Sequence, residues 1–119
     1  MSEFKFPVIE LVDRYTIARV KHRRTSGANQ AELDFYTQQM QNLDLDQISQ
    51  ELAELERIHD EIWDLEDDFK KGRVDQVPLT EIGRRAIAIR DLNNHRIQYK
   101  NTIAEKTGSV IREIKQYGS

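Results

Sequence analysis

"ISQELAELERIHDEIWDLEDDF", residues 48–69, is the stretch that decides the fold. Ile48, Leu52, Leu55, His59, Ile62, Glu66 and Phe69 follow one another in steps of four and three, the spacing of a heptad seam on an α-helix. A strand would need apolar residues at every second position, and this stretch has no such alternation. Ahead of it, "DLDQ" at 44–47 reads as a capping box, in which Asp44 accepts from the backbone three residues on and Gln47 reaches back. Gly72 is the natural stop, so a helix is expected over 45–71.

Outward from this helix the same period recurs. After the connection "RVDQVP", Thr80 is expected to cap a helix over 80–106 with Ile82, Ala86, Ile89, Ile97 and Ile103 inward. Upstream, 29–42 carries Leu33, Phe35, Tyr36 and Met40. Before that, Pro7 suits the first turn of a helix over 7–24, which Thr25-Ser26-Gly27 ends. This first helix has two stripes, one of Val8, Leu11, Val12, Tyr15 and Ala18 and one of Ile9, Ile17 and Val20, so it should be covered on two sides. A short last helix is expected over 109–117. The fold class is all-α: one helical domain over 1–119, a bundle of four to five helices on a long antiparallel hairpin.

Composition narrows the function classes. With 38% apolar and 33% charged residues, the chain is too apolar for a disordered one. It contains no cysteine, which excludes disulfides, thiolate nucleophiles and Cys-based zinc sites. No apolar run approaches the roughly 18 residues of a membrane span. "MSEFKFPVIE" does not have the pattern of a signal peptide, so a cytoplasmic protein is expected. A net charge of −3 argues against a nucleic-acid partner.

The acids divide by their place on the helical wheel. Glu54, Asp60, Glu61, Asp64 and Asp68 point away from the seam and read as a solvated face. Glu66 lies inside the stripe, with Glu51, Glu56 and Asp67 on its flanks. On the next helix Asn93, Arg96 and Lys100 lie inside the stripe and Arg85 beside it. An antiparallel hairpin then sets Glu66 against Arg85, Glu56 against Arg96, Glu51 against Lys100 and His59 against Asn93. Such a ladder either fixes register, since desolvation cancels most of its Coulomb gain, or forms a polar pocket for an anionic ligand. Asp13 lies between Ile9, Ile17 and Val20, where a carboxylate needs a basic partner or a helix end. "RVKHRR", residues 19–24, complements the negative end of the first helix, with an anion site as the other reading.

Three templates find only fragments here. Glu56-x-x-His59 has the spacing of helical di-iron sites, but only one copy is present. Helical nucleotide pyrophosphohydrolases need a second acidic pair that residues 80–106 do not supply. A chorismate-mutase-like site would use Arg96 and Lys100 but has no full set of partners. No cofactor and no metal site are expected.

"IELVDRYTIARVK", "IHDEIWDLEDDFKKG", "LNNHRIQYKNTI" and "GSVIREIKQY", in this order, carry a resemblance over nearly the whole chain. The chain resembles a family of short all-helical bacterial and phage proteins of unknown function. The resemblance implies an all-helical fold and a gene often placed near genes for glycan assembly. The family pattern matches at Asp13 and Arg14, at Lys21, at Trp63, Glu66 and Asp67, and at Asn93, Arg96 and Lys100. His59 stands where the pattern has Asn, and Asn94 where it has Asp.

Two functions are therefore expected in turn. The first is a helical interaction module or subunit without catalytic activity, joined to a protein partner or to its own copies, with Tyr99, Tyr36 and Phe35 as contact residues. The alternative is a small helical enzyme or sensor for a phosphorylated or carboxylated metabolite. Its ligand-binding residues would be His59, Glu66, Asn93, Arg96, Lys100, Asp13 and Lys21, with His59 or Glu66 as the acid/base.

Overall fold

The computed structural model describes residues 7–108, apart from the side chains of Asp68 and Val74. The helix expected over 109–117 lies outside the described residues, as does Asp68 as a member of the solvated face. Within them the chain forms four α-helices and no strand: α1 (Val8–Arg24), α2 (Gln30–Gln39), α3 (Ser49–Lys70) and α4 (Leu79–Lys106). The all-α helical bundle expected from the sequence is the fold observed. Among the described residues no helix is long and apolar enough to cross a membrane.

Helix α1 is the middle of the structure, packed against α2, α3 and α4. Pro7, with φ −55°, leads into it, and the Leu11 N–H donates to the Pro7 carbonyl at 2.9 Å. Ile9, Leu11, Val12, Thr16, Ala18 and Val20 are buried around its circumference. Thr16 is tolerated there because its hydroxyl bonds back to the carbonyls of Val12 (3.1 Å) and Asp13 (2.9 Å). Ile17, expected on the second stripe, is instead 41% exposed because it faces an open cavity. The helix ends where Gly27 takes φ 86° and its N–H reaches the His22 carbonyl at 2.9 Å. That left-handed conformation suits glycine, and an added Cβ would also come within 3.4 Å of the His22 ring.

Helix α2 buries none of its own residues. Met40, in the 3-10 turn Met40–Asn42 that follows, is the residue of this segment that enters the core. The capping box expected at 44–47 does not form. Asp44 accepts from the Asp46 N–H at 3.2 Å, two residues on rather than three, which makes a tight turn. A 3-10 turn, Asp46–Ile48, follows, and the α-helix proper begins at Ser49. Thr80 is likewise not a cap. Pro78 fixes the backbone at φ −59°, the helix starts at Leu79, and Pro78 supplies the first carbonyl, to the Ile82 N–H at 3.0 Å.

Helices α3 and α4 run antiparallel. Phe69 and Arg85 meet near the turn, 5.9 Å from guanidinium to ring centre, and Glu51 meets Lys106 at the far end, at 3.0 Å. Leu55 and Ile58 of α3 are fully buried, as are Ile103 and Ala104 of α4. The main core joins Leu11, Val12, Met40, Ile48, Leu55 and Ile103, at the end of the bundle where α1 begins and α4 finishes. Tyr36 and Tyr99, two of the expected contact residues, pack against this core, while Phe35 is 49% exposed. The first half of α4 buries no residue: Ala86, expected inward, is exposed, and Ile82 and Ile89 are half-buried.

Of the ladder expected between α3 and α4, the three charged rungs pair elsewhere. Glu56 bonds to Arg19 and lies 3.5 Å from Arg23, both on α1. Glu51 takes Lys106 rather than Lys100, Glu66 takes Lys70 one turn on in its own helix (3.6 Å), and Arg85 takes Glu81 (3.0 Å). Glu66 and Arg85 thus pair one turn away in their own helices. For Glu56, Arg96 and Lys100 the cause is the position of α1, which packs on both partners of the hairpin and offers Arg19, Arg23, Glu10 and Asp13 to them. For the same reason Asp60 and Asp64 are not simply solvated: Arg24 reaches them at 2.8 and 2.7 Å, and Arg23 reaches Asp60 at 3.3 Å.

Candidate functional site

Asp13 projects from the middle of α1 towards both α3 and α4 and is buried. The His59 Nε2–H of α3 donates to its Oδ1 at 3.0 Å. Around its Oδ2 stand Lys100 Nζ at 3.7 Å and Arg96 Nη1 at 4.0 Å, both from α4. Lys100 also reaches Glu10 at 3.4 Å. Burial by itself would push the Asp13 carboxyl up. The His59 hydrogen bond and the charges of Arg96, His59 and Lys100 outweigh it and hold the group below the ordinary carboxylate range. The result is one ionised carboxylate that three helices share.

Through His59 and Arg96 this cluster borders a cavity of about 660 Å³ between α1, α3 and α4. His59, Ile62, Trp63, Glu66 and Lys70 line it from α3. They recur at intervals of three and four residues and so form one face of the helix. Across from them α1 contributes Ile17, Val20 and Lys21, and α4 contributes Asn93 and Arg96. Lys70 folds back, with its ammonium 4.3 Å from the centre of the Trp63 ring and 3.6 Å from Glu66. Lys21 lies 3.8 Å from Glu32 of α2.

Of the seven residues singled out from the sequence, His59, Glu66, Asn93, Arg96 and Lys21 line this one cavity. Asp13 stands behind His59 and Arg96. Lys100 is 1% exposed and does not line the cavity; its ammonium lies 3.7 Å from Asp13 Oδ2. Lys70 was missed because a lysine in the last turn of a helix reads as a partner for the helix dipole. Its spacing of four from Glu66 and seven from Trp63 is the signal that places it on the cavity face. The Glu56-x-x-His59 pair does not form a shared site, since Glu56 turns to Arg19 and His59 to Asp13. Among the described residues no three His, Asp or Glu side chains are grouped to hold a metal ion.

What the arrangement can do follows from its charges. Three cations and one carboxylate line a partly apolar hollow, and the imidazole beside them is oriented by a carboxylate on one nitrogen. Such a lining suits an anion that also has an apolar or flat part. Compared with models of protein families, with curated proteins and with solved structures, the chain matches none.

Proposed function

We propose that this protein binds a small anionic metabolite, phosphorylated or carboxylated, in the cavity between α1, α3 and α4. The observation that carries the reading is the convergence of Lys21, Lys70 and Arg96 on one hollow that also contains Trp63. Lys21 and Lys70 are half-exposed and each has one carboxylate partner, Glu32 and Glu66, at 3.8 and 3.6 Å, so an anion in the hollow can add charge-assisted contacts to both. The resemblance to the helical bacterial and phage family belongs to the proposal, since its pattern marks Asp13, Lys21, Trp63, Glu66, Asn93 and Arg96. A cytoplasmic setting goes with it, because metabolites of this kind are held there.

A thermal-shift screen with phosphosugars, sugar nucleotides and dicarboxylates tests the reading. A ligand at a hundred times its dissociation constant stabilises the fold by about 2.7 kcal/mol, enough to read as a raised melting temperature. Arg96→Ala is expected to abolish the shift, and Lys21→Ala, at a half-exposed position, to weaken it with the fold intact. If no member of the screen moves the melting temperature at millimolar concentration, the reading fails.

The interaction-module reading rests on a different observation. Leu79 and Ile87 on α4 are 85% and 54% exposed, and Phe35 on α2 stands in solvent as well. A protein partner or a second copy covering them would change the mass seen by light scattering, and Ile87→Glu would reverse it. Their scatter over two helices ranks this reading second, because single exposed apolar residues are ordinary on a protein surface.

A further inference from the structure

The cavity is a trough with two charged ends. From His59 to Lys70 its α3 wall runs eleven residues, about 16 Å of helix axis. At one end Arg96 and His59 stand over Asp13, with Asn93 one turn away on α4. Away from that end are Lys70 on α3 and Lys21 on α1, the latter eight residues or about 12 Å of helix beyond Asp13 and 3.8 Å from Glu32 of α2. Lys70 is drawn back over Trp63 by the indole face and by Glu66, so its ammonium lies between one and two turns from His59, about 6 to 10 Å along α3. Between the two ends stand Ile62 and Trp63 on one side, with the Lys70 ammonium resting on the indole face, and Ile17 and Val20 on the other.

The tethers at the two ends differ. Arg96 belongs to a buried cluster and is held in place. Lys70 and Lys21 are half-exposed and lie 3.6 and 3.8 Å from single carboxylates, pairs of the kind worth well under about 1 kcal/mol. A competing anion can therefore recruit both without breaking a strong contact.

Resting on the anion-binding reading above, we propose that the ligand is a rod-shaped dianion. One of its anionic groups is held at Arg96 and His59, the other at Lys70 and Lys21, and an apolar or flat spacer lies along Trp63 and Ile62. A monoanion would satisfy one end and leave the other to its weak tether. A compact anion such as inorganic phosphate would not span the trough.

Trp63 is the chain's single tryptophan, so its emission reports the site directly. The test titrates the full chain with straight-chain dicarboxylates from succinate to sebacate, with the monocarboxylate of each length, and with inorganic phosphate. Calorimetry follows the same titrations independently of the indole. Affinity is expected to peak at one intermediate length, and the best diacid to bind about three- to fivefold tighter than its monoacid, the gain that a further ion pair at half-exposed lysines supplies. Lys70→Ala is expected to bring the diacid down to the level of the monoacid.

Equal binding of monoacid and diacid overturns the two-ended site, as does affinity that rises with length without a maximum. So does a diacid advantage that survives Lys70→Ala. Binding of phosphate alone, or of phosphosugars in the thermal-shift screen with every diacid silent, overturns the dianion and leaves the anion-binding reading standing. Silence from all of them overturns both.

Discussion

Helix α1 meets α3 through two sets of charges that use the same chemistry in different surroundings. On the outside, Arg19, Arg23 and Arg24 face Glu56, Asp60 and Asp64, whose side chains are partly or largely in water. On the inside, Asp13 faces His59, with Arg96 and Lys100 arriving from α4. The outer set has more contacts and shorter ones. The inner set has more consequence, because each of its members has given up water and depends on the others to replace it. Number and shortness of ion pairs are therefore poor guides to which set matters, and burial is the better one.

Removing the carboxylate from the inner set is the most severe way to break this contrast. Asp13→Ala leaves His59, Arg96 and Lys100 with a missing partner in a buried place, and should cost about 3 kcal/mol or more. For a chain of this size that lowers the melting temperature by roughly 10 °C, readable by circular dichroism. A loss below about 1 kcal/mol would mean that the inner set is no different from the outer one.

Acid sharpens the contrast with less force. The folded-state pKa of Asp13 is lowered from 3.8, so its stabilisation is fully present above that value and is lost as the pH falls through the folded-state pKa. Urea titrations at successive pH values below about 4 should show stability falling, and the fall should be shallower in Asp13→Asn. An unchanged acid limb in that variant would remove Asp13 from the account.

The smallest effect is expected outside. Arg24→Ala removes the contacts to Asp60 and Asp64, yet the loss should stay under about 1 kcal/mol and shrink further in high salt. A larger or salt-independent loss would show that the outer arginines are buried in effect.

The sequence made the hairpin legible because a heptad seam and a glycine stop are local signals, written within one helix. It also marked Asp13, Glu66, Asn93, Arg96 and Lys100 as inward, since a helical wheel reads direction from spacing alone. What it did not yield was the answering partner. Pairing α3 with α4 treats the hairpin as two bodies, whereas α1 packs against both. That third body takes Glu56 away from Arg96 and presents Asp13 to Arg96 and Lys100. Lys100 illustrates the limit: its inward direction is legible, its pairing with Asp13 and Glu10 of α1 is not. The shift from Asp44 capping to a turn, and from Thr80 to Pro78, came from backbone geometry that side-chain type does not fix.

The central place of α1 also fixes the order in which the molecule is completed. Its contacts reach forward 46 residues to His59 and 90 residues to Lys100. Contacts that span so much chain form late, because the loop between them has to close first. During synthesis α1 is made before either wall of the cavity exists. Its early neighbour is α2, which buries nothing of its own. A seventeen-residue helix rich in β-branched residues is marginal by itself, so its stability comes from packing on its neighbours. The α3–α4 hairpin can close on nearest-neighbour contacts, but the Asp13 cluster is complete only when α1 is docked on both of its helices.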